Sequence, residues 1–204
     1  MSGAIQAVIF DYGNVVSRFD LELLVDGLRA ASSLDRASLR RAVRESGELA
    51  RSYEAGRITT AAFASAFALR CGFQGGEDRL REAYTRIFTP IPETLELIGK
   101  LRPRYRLGLL SNTSPWHFEH EIRLSPAFPF FEAVTLSFQA GALKPDRAIY
   151  LDALRRLNLP PERCAYIDDI RENAEAAAAL GMRGIHYRDP ETLAASLRSA
   201  GVLV

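Results

Sequence analysis

Residues 7–16 read Ala-Val-Ile-Phe-Asp-Tyr-Gly-Asn-Val-Val, an apolar run that ends on the carboxylate of Asp11, two residues before Gly13. A short apolar run with branched side chains and a turn signal at its end predicts a strand that is buried on both faces, as in parallel sheets. Ligands of open parallel sheets bind beyond the carboxyl ends of the strands, which is where Asp11 falls. The stretch therefore indicates a functional carboxylate, although Asp close to a glycine is also ordinary turn chemistry.

The length and charge of the chain limit the classes of function that it could have. The chain has 204 residues, long enough for one large domain or for one domain with an insertion. Its 26 basic and 25 acidic residues give a net charge of +1, so no overall field attracts nucleic acid or an anionic membrane. Only Lys100 and Lys144 are lysines, and in a chain that otherwise uses arginine this marks Lys144 as a candidate functional residue.

The two cysteines and the apolar runs indicate the compartment. Cys71 and Cys164 form no Cys-x-x-Cys or Cys/His cluster, so neither a disulfide framework nor a structural zinc site is expected, and both are predicted to be core thiols. No apolar run reaches the roughly 18 residues of a membrane span, and the N-terminus lacks a signal-peptide pattern. We expect a cytoplasmic protein with no membrane partner and no nucleic-acid partner.

Residues 18–89 carry a helical pattern. Apolar residues recur at helical spacing from Leu21 to Leu28, and the same spacing returns in later segments up to Pro90. This stretch contains no motif of its own that indicates a catalytic or metal-binding site. We predict an all-helical insertion, a cap domain over residues 18–89, which interrupts a core domain formed by residues 1–17 and 90–204.

From Pro92 onward helices and strands alternate. Strands are predicted at 107–111, 133–136, 164–167 and 183–187, with helices between them and after the last one. Alternation of this kind is typical of α/β domains with a doubly wound parallel sheet. The predicted fold is therefore α/β, a Rossmann-like doubly wound parallel sheet with an inserted all-helical cap.

Each core strand is followed by polar residues. Ser-Asn-Thr (111–113) follows one strand, Asp168 and Asp169 follow another, and Lys144 precedes a helix. Parallel strands bring these groups to one edge of the sheet, where adjacent carboxylates need a cation or protons to coexist. Hard oxygen ligands without nearby His or Cys favour Mg²⁺.

The remaining groups at this edge suit an anion. The Ser111 hydroxyl and the amides that open the next helix are donors for phosphate oxygens, and Lys144 adds a point charge. Each group alone also fits a helix cap, a surface lysine or a turn. Together, a carboxylate nucleophile, Mg²⁺, hydroxyl and amide donors and one lysine are the parts that in-line phosphoryl transfer requires.

Four ordered motifs resemble those of the haloacid dehalogenase-like hydrolase superfamily, and the resemblance covers essentially the whole chain. The motifs are Phe-Asp-Tyr-Gly-Asn-Val (10–15), Leu-Ser-Asn-Thr (110–113), Lys-Pro-Asp (144–146), and Asp168-Asp169 with Asn173. The resemblance implies that Asp11 becomes a phosphoaspartate and that Mg²⁺ is held by Asp11, by the Gly13 carbonyl and by an acid of the fourth motif. By position we expect Asp169 to be the direct ligand, with Asp168 and Asn173 around it.

Both acids of the fourth motif are present, whereas the dehalogenases of this superfamily lack that pair. The resemblance is therefore to the phosphatase branch with a helical cap, and the implied partner is a small-molecule phosphate. Its implied catalytic residues are Asp11, Ser111 and Lys144. We expect Asn14, Asn112, Thr113 and His117 to contact the substrate, and a loop around residues 52–59 of the cap, between helical segments, to select it.

Gly13 departs from the phosphatase pattern, because typical members carry an acid/base Asp at that place. A positioned acid or base is worth roughly 10²- to 10⁴-fold in rate, so three explanations remain open. The chain resembles bacterial glucose-1-phosphatase-like members that read Asp-x-Gly-Asn-Val, which would suit leaving groups that need little protonation. Alternatively, another residue supplies the proton, with His117 and Asp20 as candidates. In the third explanation the protein has lost hydrolysis and serves as a phosphate-ligand or partner-binding scaffold.

Overall fold

A five-stranded parallel sheet forms the centre of the molecule. The computed structural model describes residues 4–203, so residues 1–3 and 204 of the predicted core domain lie outside the described range. The strands of this sheet are β1 (Ala7–Phe10), β4 (Arg106–Ser111), β5 (Ala133–Leu136), β6 (Cys164–Asp168) and β7 (Arg183–His186), and their spatial order is β5-β4-β1-β6-β7. The predicted α/β class is confirmed.

Helices cover both faces of the sheet, as expected for a doubly wound domain. The side chains of β1 alternate between the faces: Val8 and Phe10 belong to one apolar cluster, and Ala7 and Ile9 belong to another. Burying each large apolar side chain contributes about 1.5–3 kcal/mol, so both layers of helices hold β1 in the centre. The core helices are α6 (Pro92–Leu101), α7 (Pro115–His120), α8 (Ser137–Ala140), α9 (Arg147–Leu157), α10 (Arg171–Ala179) and α11 (Pro190–Ser199), with 3₁₀ turns at Ile122–Leu124, Phe128–Phe130 and Pro161–Arg163.

Five helices follow β1 and precede α6 along the chain. They are α1 (Leu21–Arg29), α2 (Arg36–Glu45), α3 (Gly47–Glu54), α4 (Thr60–Arg70) and α5 (Glu77–Thr85). Their apolar faces form a separate core that includes Leu28, Phe63 and Tyr84, and Trp116 of α7 packs into it. Aromatic residues of this region therefore stabilise its own packing, and Trp116 faces it from the sheet domain.

The region 18–89 is not purely helical, which corrects one detail of the prediction. Short strands β2 (Ser17–Phe19) and β3 (Phe88–Pro90) pair antiparallel where the chain leaves and re-enters the sheet domain. Three-residue strands are too short to show a period of two, and Pro90 argues against a strand in a sequence reading. The predicted boundaries at 18 and 89 fall inside this two-stranded ribbon.

Two other sequence predictions concern the cysteines and membranes. Cys71 and Cys164 are free and buried, as expected for core thiols. None of the helices between residues 4 and 203 combines the length and the apolar character that crossing a bilayer requires.

Candidate active site

Three strand ends bring the predicted functional residues together. β1 lies between β4 and β6, and Phe10 is in register with Leu109 on one side and Ile167 on the other. Asp11, the next residue, is therefore level with the ends of both neighbours, where Ser111 and Asp168 lie. This is the edge of the sheet that the sequence predicted.

Lys144 connects two of the carboxylates. Its ammonium Nζ lies 2.7 Å from Asp11 Oδ1 and 2.7 Å from Asp168 Oδ2, and it donates to the Leu110 carbonyl at 3.3 Å. The exposed fractions of the side chains are 2% for Lys144, 10% for Asp11 and 0% for Asp168. A buried charge trio of this kind is stable only when its members compensate each other.

The pKa values of Lys144 and Asp11 are set by burial on one side and by the neighbouring charges on the other. Burial lowers the pKa of Lys144, but the charges and hydrogen bonds of Asp11 and Asp168 raise it more, so the net pKa is above its usual value. Burial raises the pKa of Asp11, and the neighbouring charge of Asp168 raises it further, while Lys144 opposes both. An added cation near Asp11 would favour its ionised form.

Asp168 and Asp169 have different environments. Asp168 Oδ1 accepts from the Ile170 amide at 2.8 Å and from Asn173 Nδ2 at 3.0 Å, and Oδ2 accepts from Lys144 and from the Tyr166 hydroxyl. Both oxygens of Asp168 are thus used inside the protein. Asp169 is half-buried, and one oxygen of its carboxylate, Oδ2, accepts a hydrogen bond from Asn14 at 2.9 Å. Asp11, Asp168 and Asp169 each offer a carboxylate oxygen, and these atoms lie within 4.8 Å of one another, so the donor set fits a hard divalent cation.

Asn14 fixes the loop that follows Asp11. It has φ 55°, in the left-handed region that Asn tolerates better than most residues. Besides the bond to Asp169, its Oδ1 accepts from the Phe19 amide at 3.0 Å, and its own amide donates to the Ser17 carbonyl at 2.7 Å. Asn14 thereby ties the first motif to the fourth and to β2.

In the second motif, Asn112 and Thr113 make structural hydrogen bonds, whereas the Ser111 hydroxyl faces few partners. The Asn112 side chain bonds the Lys144 backbone twice, to the amide at 2.8 Å and to the carbonyl at 3.2 Å. The Thr113 amide donates to Ser137 Oγ at 2.9 Å. The Ser111 hydroxyl has only a 3.5 Å contact, with the Asn112 carbonyl, so it is available to a ligand.

A cavity of about 280 Å³ opens above this edge. Of the residues named from the sequence as catalytic, substrate-contacting or metal-ligating, Asp168 and the alternative proton donor Asp20 do not line it; the lining includes Asp11, Gly13, Asn14, Ser111, Asn112, Thr113, His117, Lys144 and Asp169. Phe19 and Ile170 also line the cavity and are 39% and 52% exposed, which gives its mouth an apolar rim. The volume suits a phosphate group with a small organic substituent.

The two candidate proton donors named from the sequence have other roles. His117 stacks on the Tyr84 ring with centroids 4.4 Å apart, and its Nε2 donates to the Tyr84 carbonyl at 2.9 Å. Burial lowers the pKa of His117 to about 4, so the imidazole is neutral at pH 7. Asp20 caps α1 by accepting from the Glu22 amide at 2.8 Å, and it is absent from the cavity lining. Neither environment suits a general acid.

Arg51 and Glu54 of α3 also line the cavity, and the sequence reasoning did not single them out. The stretch 52–59 was expected to be a loop, but residues up to Glu54 are helical and only the following turn is not. No sequence signal marked Glu54, because the end of α3 was not predicted at this residue.

Solved structures share this architecture. A haloacid dehalogenase family enzyme from Bacteroides thetaiotaomicron, in complex with magnesium and inorganic phosphate, has a TM-score of 0.78 at 22% identity, covering 90% of this chain and 94% of that one. A structure described as a predicted haloacid dehalogenase-like family hydrolase from Porphyromonas gingivalis has a TM-score of 0.77 at 26% identity, covering 97% and 98%. The first of these likenesses shows the fold alone.

Sequence comparisons point the same way. A D-ribitol-5-phosphate phosphatase of Bacteroides thetaiotaomicron is 23% identical over 184 residues, which are 87% of this chain and 89% of that protein. A flavin mononucleotide hydrolase of Arabidopsis thaliana is 28% identical over 102 residues, which are 49% of this chain and 40% of that protein's length. The family model of haloacid dehalogenase-like hydrolases matches residues 5–181. The chain therefore belongs to the haloacid dehalogenase-like hydrolase family.

Proposed function

We propose that this protein, a haloacid dehalogenase-like phosphatase, removes phosphate from small phosphorylated metabolites with Asp11 as nucleophile and Mg²⁺ as cofactor. The observation that carries the proposal is the position of Lys144, whose ammonium lies 2.7 Å from both Asp11 and Asp168 at the floor of a cavity. A scaffold would gain nothing from burying this trio, since well-packed apolar residues serve stability as well or better.

The chain's own donors fit Mg²⁺. Asp11, the Gly13 carbonyl and Asp169 would hold the ion, while Asp168, with both oxygens already bonded, would support the site from behind. When bound, the ion supplies charge shielding between the carboxylate and the incoming phosphate dianion. Asn14 holds Asp169 in place for this role.

Asp11 would be the group that attacks phosphorus. Lys144 holds Oδ1 of Asp11, and this contact keeps the carboxylate oriented toward the cavity. Attack by the carboxylate forms an acyl phosphate on Asp11 and breaks the bond between phosphorus and the ester oxygen, which leaves in line with the attacking oxygen. Water then cleaves the acyl phosphate and releases inorganic phosphate.

The phosphate oxygens would be held by Ser111, the Asn112 amide and Lys144. The free Ser111 hydroxyl supports its part, and the paired hydrogen bonds of the Asn112 side chain with the Lys144 backbone keep the two motifs at a fixed separation. Pre-positioned donors of this kind stabilise the charge that develops in the transition state.

Residues 18–89 would act as a cap, and residues 1–17 with 90–204 as the catalytic core. Three contacts dock the turn after α3 onto the core. The Ser137 hydroxyl donates to the Glu54 carbonyl at 2.6 Å, the Trp116 amide donates to the Tyr53 hydroxyl at 3.3 Å, and Gly56 packs so closely on the Phe138 carbonyl that a Cβ there would lie 2.4 Å from it. Docking of this turn would exclude water from the cavity during reaction.

A sugar or polyol phosphate is the substrate class that we favour. A relative of nearly the same length is a D-ribitol-5-phosphate phosphatase, and Arg51 and Glu54 offer the cavity a cation and a carboxyl group that can bind hydroxyl groups. The small cavity volume also disfavours a large leaving group.

The test is hydrolysis of p-nitrophenyl phosphate and of a panel of polyol, sugar and acyl phosphates, with Mg²⁺ or with EDTA. We expect turnover that needs Mg²⁺ and that is lost in Asp11→Asn. Turnover that survives EDTA would contradict the metal requirement. A folded protein that binds Mg²⁺ but hydrolyses nothing would support the phosphate-ligand or partner-binding scaffold instead.

A further inference from the structure

Release of an alcohol from a phosphate ester leaves a strongly basic oxygen that needs a proton. A positioned acid contributes roughly 10²- to 10⁴-fold to such a step, and the same group can later take a proton from the attacking water. Gly13 carries no side chain that could do this. The cavity lining must therefore hold the donor elsewhere if alcohol esters are substrates.

Most titratable groups of the lining are already committed. Lys144 bridges two carboxylates, and Asp11 and Asp169 belong to the nucleophile and metal positions. The Tyr12 hydroxyl donates to Glu121 at 2.8 Å, and burial together with Glu121 raises the Tyr12 pKa far above neutrality.

Two further titratable groups of the lining are unsuitable for chemical reasons. His117 is neutral at pH 7, and its Nε2 proton is bonded to the Tyr84 carbonyl. The guanidinium group of Arg51 has donors and no acceptor atom, so it does not suit a group that must also take a proton from water. Among the titratable groups that line the described cavity, this leaves Glu54.

The backbone around Glu54 is fixed to the phosphate-binding loop. The Glu54 carbonyl accepts from Ser137 Oγ at 2.6 Å, and the same Oγ accepts from the Thr113 amide at 2.9 Å. One hydroxyl thus joins the end of α3 to the second motif, two residues from Ser111. Glu54 lines the same cavity as Asp11, and its buried carboxyl group lies within electrostatic range of Lys144.

We propose that Glu54, reaching the cavity from the inserted helices, is the acid/base residue of the reaction in place of the group that Gly13 lacks. The inference rests on the phosphatase function proposed above. It assigns the carboxyl group a contact with the ester oxygen of the substrate, so it also predicts that alcohol phosphates are substrates.

The electrostatic surroundings agree with this role. Burial raises the pKa of Glu54 to about 7, against the opposing charges of Arg51 on the same helix and Lys144 at the sheet edge. Tyr84 of α5 also lies close enough to interact electrostatically with Glu54. The helix α8, which packs against α3, carries no titratable side chain. An acid whose pKa is near the working pH is half protonated, which suits a group that must first give and then take a proton.

The proton and electron balance is complete without a further reactant. Asp11 forms a bond to phosphorus, the bond to the ester oxygen breaks with its electron pair on oxygen, and the Glu54 proton passes to that oxygen to give the alcohol. The Glu54 carboxylate then accepts a proton from water as the water oxygen bonds to phosphorus. The acyl phosphate bond breaks, inorganic phosphate leaves, and Asp11 and Glu54 return to their starting forms.

The experiment compares wild type, Glu54→Gln, Glu54→Asp and Glu48→Gln on p-nitrophenyl phosphate and on glycerol phosphate. Glu48 is an exposed residue of the same helix, so Glu48→Gln is the matched control. Steady-state kcat and KM, the first-turnover burst of p-nitrophenolate and the pH profile are measured, with circular dichroism to check folding.

For Glu54→Gln we expect kcat on glycerol phosphate to fall by about 10²- to 10³-fold with little change in KM. On p-nitrophenyl phosphate, whose leaving group needs no proton, the variant should show a burst followed by slow turnover, because the base for the second step is missing. The decline of wild-type kcat/KM on glycerol phosphate above about pH 7 should disappear in Glu54→Gln and remain in Glu54→Asp.

Other outcomes separate the two proposals. If wild type turns over both substrates with Asp11-dependence while Glu54→Gln matches Glu48→Gln, or shows only a raised KM, the acid/base role of Glu54 is wrong and the phosphatase function stands. If wild type turns over p-nitrophenyl phosphate but no alcohol phosphate of the panel, the acid/base role is wrong and the phosphatase function stands. If wild type turns over no member of the panel, both proposals are wrong.

Discussion

Asn14 donates its side-chain amide to Asp169 Oδ2 at 2.9 Å, so the loop after the first strand holds a carboxylate of the fourth motif in place. Groups that orient a metal ligand typically contribute 10- to 100-fold to metal affinity. We expect Asn14→Gly to raise the Mg²⁺ concentration needed for half-maximal turnover by about 10-fold or more. Glycine keeps the left-handed backbone at φ 55°, so the change removes the amide without adding strain.

The control for this prediction is Asn158→Gly. Asn158 is the other non-glycine residue with positive φ in the described part of the chain, at the end of α9, and it is absent from the cavity lining. The Mg²⁺ dependence of Asn158→Gly should match wild type. Equal Mg²⁺ dependence in Asn14→Gly and wild type would remove Asn14 from the support of the metal site.

Lys144→Met tests the buried charge trio. Removing one member of a buried ion pair typically costs about 3–5 kcal/mol, because the remaining charge is left uncompensated. We expect a loss of this size in the free energy of unfolding by urea in EDTA, and a smaller loss in Mg²⁺, since the ion can offset the repulsion between Asp11 and Asp168.

Lys100→Met is the matched control, because these two residues are the only lysines in the sequence. Lys100 forms an exposed pair with Glu96 at 2.6 Å, its side chain being 65% exposed, so its removal should leave stability nearly unchanged. Similar losses of unfolding free energy in both variants would show that the buried position of Lys144 adds nothing to its contribution to stability.

The sequence predicted the sheet edge better than the cavity above it. Asp11, Ser111 and Asp168 could be placed together because each lies at or directly after the end of a buried strand, and parallel strands end at one edge. Glu54 could not be placed, because its approach to the cavity depends on how α3 docks through Ser137, which lies 83 positions away in the chain. Helical periodicity predicts which face of a helix is buried and carries no information about which distant loop it contacts.

The same limit explains the differing environments of the adjacent acids. Asp168 and Asp169 were correctly expected at one edge, but their distinct partners follow from the direction in which each side chain leaves the end of β6. Asp168 points to Lys144 and Tyr166, and Asp169 points to Asn14. Side chains alternate between opposite sides at the end of a strand, so neighbouring residues meet different surroundings.

Gly56→Ala tests whether the turn after α3 must dock closely on the core. The added Cβ would lie 2.4 Å from the Phe138 carbonyl oxygen, so either the turn or α8 must shift. Displacements of about 1 Å near a reacting centre can cost about 10²-fold in rate, and we expect kcat/KM to fall by roughly 10- to 100-fold. Steady-state kinetics on p-nitrophenyl phosphate measure it.

Gly76→Ala separates docking from backbone strain. Gly76 has φ +80°, close to the φ +68° of Gly56, but a Cβ there meets no atom within 4 Å. Both variants carry the conformational cost of an alanine at positive φ, and with ψ 165° Gly76 lies in a region essentially restricted to glycine, where that cost is roughly 1–3 kcal/mol. If the two variants lose activity equally, the close approach of Gly56 to Phe138 has no part in catalysis.

His117 predicts a component of acid sensitivity. Burial lowers its pKa from the usual 6.5 to about 4, since the ring stacks on Tyr84 and meets the edge of Phe88. Between these two pH values the unfolded chain binds a proton at this histidine that the folded protein excludes, so its contribution to stability is present above about pH 6.5 and is lost as the pH falls toward 4.

His117→Phe keeps an aromatic ring and removes the titration. We expect the variant to lose stability less steeply than wild type on going from pH 6.5 to pH 4.5, even though deleting the bond to the Tyr84 carbonyl costs about 1 kcal/mol or more at neutral pH. Urea unfolding at pH 4.5, 5.5, 6.5 and 7.5 measures both terms, and parallel pH profiles for the two proteins would show that His117 is protonated equally in the folded and unfolded states.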